Sequence, residues 1–165
     1  LLKLIKVVSF QKECENMSQK NYLRHNCPIA QTLGVVGGQW TLLIARNLIN
    51  GINKFDGIQK NLNISRNLLT QRLKYMELSG LTKKTIPDGK RRAIYLPTKK
   101  CFDLTNTLLA LSEWSEKWIP DPSGPRIYVS KNTNGKPLKL ALIPAEKLES
   151  YGENEFQLDF GTAKF

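Results

Sequence analysis

The run Ile64-Ser65-Arg66-Asn67-Leu68-Leu69-Thr70-Gln71-Arg72-Leu73-Lys74-Tyr75-Met76, continuing through Gly80 to Pro87-Asp88-Gly89-Lys90-Arg91-Arg92, decides how the rest of the chain is read. Ser65 is a good N-cap, since its short hydroxyl can accept from a first-turn N–H. Leu68, Leu69, Leu73 and Met76 then recur at helical spacing and gather on one side, which is predicted to be core. Arg66, Asn67, Thr70, Gln71 and Lys74 fall together on the other side, all long or amide-bearing donors. Arg72 lies inside the apolar arc and reads as a snorkelling or ion-paired structural residue. Gly80 stops the helix. Leu81 to Ile86 and Arg92 to Leu96 flank Pro87-Asp88-Gly89-Lys90, which predicts a hairpin carrying Lys90, Arg91 and Arg92 at its tip.

A polar helix face beside a cationic two-stranded ribbon suits duplex DNA, as in a winged helix-turn-helix. The helix enters the major groove, where each base pair shows its own pattern of donors and acceptors, and the ribbon lies over phosphates. Arg66, Asn67, Thr70 and Gln71 are the expected base readers; Ser65, Lys74, Lys90, Arg91 and Arg92 are the expected backbone contacts. The competing reading of the polar face is plain solvation, as for most charged helix faces. Net charge weighs against it: +11, with a pI near 9.7, favours a polyanion, because each neutralised phosphate releases counterions. A membrane surface would satisfy the same charge. However, no apolar run approaches the roughly 20 residues that span a bilayer, and the cations cluster in a hairpin instead of along an amphipathic helix.

Upstream, Pro28 suits a first helical position, with Ile29, Leu33 and Val36 as its stripe and Gly37-Gly38 as its end. A second helix is expected from near Gln39, with Trp40, Leu43, Ile44 and Leu48 buried and Gly51 as its stop. Asn53 and Asp56 resemble a capping arrangement for a third, carrying Phe55, Ile58 and Leu62, before a turn at Asn61-Leu62-Asn63. Downstream, Thr98 can cap a helix from Lys99 to about Trp118. Leu104, Leu108, Leu111 and Trp118 form one stripe of it, with Phe102 and Leu109 roughly opposite. A helix apolar on two sides needs two partners, and a second copy of the same helix about a two-fold axis is the simplest second one. Ile29 and Leu33 are assigned to the same homodimer interface. The alternative is coverage within one chain.

The ordered run Cys27-Pro28-Ile29-Ala30, Gly37-Gly38-Gln39-Trp40-Thr41-Leu42-Leu43-Ile44, Lys54-Phe55, Ile64-Ser65, Leu69-Thr70-Gln71-Arg72-Leu73 and Gly80-Leu81 resembles the HxlR family of bacterial transcriptional regulators. The resemblance covers roughly residues 23 to 118. It implies a homodimeric winged-helix DNA-binding protein of bacterial or archaeal origin acting at nearby promoters. The wing departs from the family pattern, because Asp88-Gly89-Lys90-Arg91-Arg92 is more basic than the family's proline-containing tip.

The expected fold is therefore mainly α with a small β wing (α+β). It comprises an N-terminal extension over 1–22, a winged helix-turn-helix domain over 23–119, a linker over 120–125 and a C-terminal β-hairpin appendage over 126–165. In the appendage, Arg126 to Ser130 and Leu138 to Ile143 read as strands about an Asn134-Gly135 turn, and Phe156, Leu158 and Phe160 alternate as a third. Met17-Ser18-Gln19-Lys20 is an ordinary start, so residues 1–16 are expected to be upstream translation or a dispensable extension.

No enzyme signature emerges: the single His25 has no carboxylate pair and no serine sits in a nucleophile elbow. The cysteines Cys14, Cys27 and Cys101 are widely spaced and odd in number, which gives no metal spacing and points to a reducing cytoplasm. No cofactor is expected. The expected partners are double-stranded DNA and a second copy of the chain, with a small-molecule or oxidant inducer. An RNA-binding or protein-interaction winged helix without operator specificity is the alternative. Two readings of Cys27 stand side by side. It is a small inert packing residue, or a thiolate-prone sensor at a helix N-terminus beside Arg24 and His25, the place where some members of the resembled family sense oxidants.

Overall fold

The computed structural model describes residues 22–122 together with the backbone of two strands at 128–131 and 156–159. Residues 1–21, which hold Cys14 and Met17, lie outside the described residues, as do Asn134-Gly135, Leu138 to Ile143 and Phe160. The chain divides into two compact units, Leu1–Cys101 and Phe102–Phe165.

In the first unit the helices are α1 (Pro28–Val36), α2 (Thr41–Ile49), α3 (Phe55–Leu62) and α4 (Arg66–Leu78), followed by strands β1 (Thr82–Thr85) and β2 (Ile94–Pro97). The core is made from the expected stripes: Val36 from α1, Ile44 and Leu48 from α2, Ile58 and Leu62 from α3, and Leu69, Leu73 and Met76 from α4 are all buried. Leu68, Trp40, Leu43 and Phe55 are half-buried at its margin. Helix α2 begins two residues later than expected, at Thr41, whose N–H donates to Gly38 O at 2.9 Å.

The predicted cap of α3 is corrected. Its N-cap is Lys54, with no side-chain capping bond. Asn53 is engaged elsewhere, since its carbonyl accepts the Tyr95 N–H at 2.8 Å and Lys54 bridges Ile94, so the chain stays extended along the wing for one residue more. Between α3 and α4 the turn is centred on Asn63 in the left-handed region (φ 47°), a conformation asparagine tolerates better than most side chains. Ser65 then caps α4 as expected, its Oγ accepting the Leu68 N–H at 3.3 Å.

Helix α4 ends where the sequence says it must. Gly80, at φ +71°, lets its N–H reach Glu77 O at 3.0 Å and the Leu81 N–H reach Met76 O at 2.8 Å, the paired bonds of a Schellman stop. Strands β1 and β2 pair antiparallel, with Thr82 opposite Pro97 and Thr85 opposite Ile94.

The long helix expected from Lys99 is broken in two, α5 (Lys99–Phe102) and α6 (Thr105–Trp118). Thr98 caps the first piece, accepting the Cys101 N–H on Oγ1 at 3.3 Å. The second has Leu104 as its N-cap, with no side-chain capping bond, and Thr105 Oγ1 donates to Phe102 O at 2.6 Å. That local bond competes with continuation of the helix. The second unit also holds β3 (Tyr128–Lys131) and β4 (Phe156–Asp159), paired antiparallel with Tyr128 opposite Asp159.

Candidate nucleic-acid interface

One face of α4 is packed and the other is open. Leu69, Leu73 and Met76 point into the core, and Tyr75 Oη donates to Gly34 O of α1 at 2.9 Å, which fixes the rotation of α4 about its axis. The opposite face carries Arg66, Asn67, Thr70, Gln71 and Lys74, all exposed. Thr70 Oγ1 donates back to Arg66 O at 2.8 Å. The side-chain amides of Asn67 and Gln71 make no hydrogen bond among the described residues, so their full donor and acceptor sets face outward. Arg72 lies half-buried in the apolar arc, its Nε shielded from water and without a partner among the described residues.

The wing stands beside this face. Its tip closes with the Lys90 N–H donating to Pro87 O at 3.0 Å, and the turn needs Gly89 at φ +71°, which glycine adopts without a Cβ clash. The Lys84 N–H donates to Glu77 Oε1 at 3.2 Å, tying β1 to the last turns of α4. Lys90, Arg91 and Arg92 are exposed at the tip.

Between the wing, the start of α3 and the first residue of α4 lies a groove of about 1010 Å³, lined by Lys54, Arg66, Lys84, Lys90, Arg91 and Arg92. Sequence reasoning missed Lys54 and Lys84. The signal for Lys84 was its strand position facing Tyr95, whose ring centroid lies 6.0 Å from Nζ. A surface with this density of cations concentrates phosphate near it.

Asp56 interrupts that cationic lining. Its Oδ1 accepts Arg66 Nη1 at 3.1 Å and its Oδ2 accepts Arg92 Nη1 at 3.0 Å. Arg66 Nη1 also donates to Gln59 Oε1 at 3.2 Å, and its guanidinium lies 4.9 Å from the Phe55 ring centroid. Arg66, expected among the base readers, is thus held against α3, whereas Asn67, Thr70 and Gln71 stand clear.

The apolar residues expected at a two-fold interface are found in both units. In the first, Ile29 is 72% and Leu33 45% exposed. In the second, Leu104 and Leu108 are half-buried while Leu111 and Trp118 are exposed, Trp118 at 63%. Trp114 and Ile119 are exposed as well and were missed, although Trp114 follows Leu111 by three positions on the same helix face.

Cys27 is half-buried at the N-cap of α1, and its backbone N–H donates to His25 Nδ1 at 3.1 Å. Cys101 is buried, and burial pushes its thiol up to about 11, the behaviour of an inert packing residue. No helix among the described residues is long and apolar enough to cross a membrane.

Residues 35–123 match the profile of the HxlR-like helix-turn-helix family. The chain is similar to the HTH-type transcriptional regulator MT3179 of Mycobacterium tuberculosis, 31% identical over 109 residues that span 66% of this chain and 69% of that protein. Among solved structures, it shares the fold of PA1607, with a TM-score of 0.71 at 24% identity over 81% of this chain and 95% of that one. The oxidised form of the redox regulator HypR aligns with a TM-score of 0.51 at 26% identity, covering 55% of this chain and 96% of that one.

Proposed function

This chain belongs to the HxlR-like helix-turn-helix family of transcriptional regulators, and from that premise we propose that it acts as a homodimer on a pseudo-palindromic site in double-stranded DNA. The observation that carries the reading is the open face of α4 standing beside a cationic wing, with Asn67, Thr70 and Gln71, the proposed base readers, exposed on it. Asn and Gln pair bidentately with adenine and Arg with guanine in the major groove. Ser65 and Lys74 flank that face, and Lys90, Arg91 and Arg92 supply phosphate contacts from the wing.

Dimerisation rests on the exposed apolar residues of each unit, Ile29 and Leu33 in one, and Leu111 and Trp118 with half-buried Leu104 and Leu108 in the other. A two-fold dimer places its recognition helices on half-sites about 34–36 Å apart, one helical turn of DNA.

Cys27 is the proposed point of regulation by an oxidant or electrophile. The named role of HypR as a redox regulator supports it. So does the path from Cys27 through α1 to the Gly34 carbonyl that Tyr75 of α4 grips.

Footprinting on DNA selected by the protein tests the reading. A symmetric footprint is expected, and alanine at Asn67 or Gln71 should flatten preference at one position per half-site by about 1–3 kcal/mol. An asymmetric footprint, or equal affinity for duplex and structured RNA, refutes it. Mild oxidant should release DNA from wild type and not from Cys27→Ser; equal behaviour assigns Cys27 to packing.

A further inference from the structure

Among the described residues, Asp56 is the only acidic one in the lining of the wing groove, set among six cations. A carboxylate there repels the phosphates that the groove otherwise attracts, so its presence calls for a reason.

Fold stability does not supply one. The side chains of Asp56, Arg66 and Arg92 are 55%, 66% and 89% exposed, and ion pairs that open to water contribute little. Nor is Asp56 the cap of α3, whose N-cap is Lys54; it lies in the first turn, where a carboxylate suits the positive end of the helix but needs neither arginine. Its geometry is more specific than either role requires. One carboxylate spans two elements, taking the first residue of α4 on Oδ1 and the wing's Arg92 on Oδ2. Gln59 and Phe55 of the same helix hold Arg66 a second and third time.

We infer that Asp56 is a specificity-determining positioning residue: it ties Arg66 and Arg92 together so that recognition helix and wing meet the duplex as one shape. The inference rests on the proposed DNA binding. With the tie in place, Arg66 and Arg92 are fixed relative to each other and reach phosphates only on a duplex that fits both elements at once. Without it, each long side chain takes whichever phosphate is near, and binding that ignores sequence gains most.

The test compares wild type, Asp56→Asn and Asp56→Glu on two duplexes of equal length, one selected by the wild-type protein from a random library and one with its sequence shuffled. Fluorescence anisotropy is read between about 50 and 200 mM salt. For Asp56→Asn, affinity for the shuffled duplex should rise about three- to tenfold and its salt slope steepen by about one unit, while the ratio of selected to shuffled affinity falls. Asp56→Glu should restore the ratio, because it keeps the charge. Combining Asp56→Asn with Arg92→Gln should give less than the product of the two single effects on that ratio, since both cut the same tie. A wild-type ratio and slope in Asp56→Asn overturns the inference, as does an Asp56→Glu that behaves like Asp56→Asn. A loss of more than about 10 °C in the melting temperature of Asp56→Asn would make the carboxylate structural and overturns it too. A wild-type protein that prefers no duplex refutes the operator reading itself, whereas a clear wild-type preference that Asp56→Asn leaves untouched refutes this inference alone.

Discussion

Ser65 carries two roles that substitution can separate. As the N-cap of α4 it accepts the Leu68 N–H on Oγ, and at 3.3 Å in an exposed setting the bond belongs at the weak end of the capping range. Ser65→Ala should therefore cost about 0.5–1 kcal/mol, and lower the melting temperature by about 2–8 °C. Ser65→Asp should keep that stability, since aspartate caps equally well and its charge favours the positive end of the helix. The proposed second role is a DNA backbone contact, and there the aspartate stands against phosphate. Ser65→Asp should weaken binding to every duplex by about tenfold or more at low salt, less at high salt, with sequence preference retained. Urea unfolding and anisotropy titration on the same preparations read the two effects. If Ser65→Asp binds as wild type at every salt concentration, Ser65 faces no phosphate. If Ser65→Ala unfolds as wild type does, the capping bond contributes nothing and the start of α4 is fixed by packing alone.

Single alanine substitutions at Lys90 and Arg91 should weaken all duplexes alike and each reduce the salt slope by about one unit, measured by anisotropy against salt. Trp118→Glu places a charge on an exposed apolar face of α6 and should leave a folded monomer in analytical ultracentrifugation under conditions where wild type is a dimer. For Cys101, the buried thiol keeps its proton to about 11 while the unfolded chain releases it near 8.5. The unfolded state binds fewer protons in that window, so the contribution is complete below about pH 8.5, falls by up to about 1.4 kcal/mol per pH unit above it, and is gone past the folded value. Urea unfolding at stepped pH should show a shallower alkaline loss in Cys101→Ala than in wild type.

The features legible in the sequence are those decided by neighbouring residues. Pro28 starts α1, Ser65 starts α4 and Gly80 ends it, because each acts through its own backbone geometry or through groups within one turn. The family and its winged-helix fold were legible for the same reason, since punctuation and periodicity kept their order along the chain. The break between α5 and α6 was not. Periodicity runs straight through Leu104, and the interruption is accompanied by a single hydroxyl, Thr105, bonding Phe102 O. Asp56 was misread as part of a cap because its partners are remote: Arg66 lies 10 residues away and Arg92 lies 36. Pairing of that kind depends on how α3, α4 and the wing fold against one another, which spacing along one element does not encode. Likewise β3 pairs with β4, a strand expected as the third of its group, and nothing local to Tyr128 names that partner.

That pairing also bears on synthesis. Strand β3 is made before Phe156, with residues 132–155 between them taking roughly one to five seconds at typical elongation rates. Until β4 pairs with it, the β3 edge that β4 will satisfy can take another extended chain, including β3 of a second copy. Helices α1 to α4, built largely from contacts close in sequence, can form meanwhile. A chain ending before Phe156 should therefore aggregate more than the full chain, through the β3 edge that β4 would have paired, while helices α1 to α4 still form.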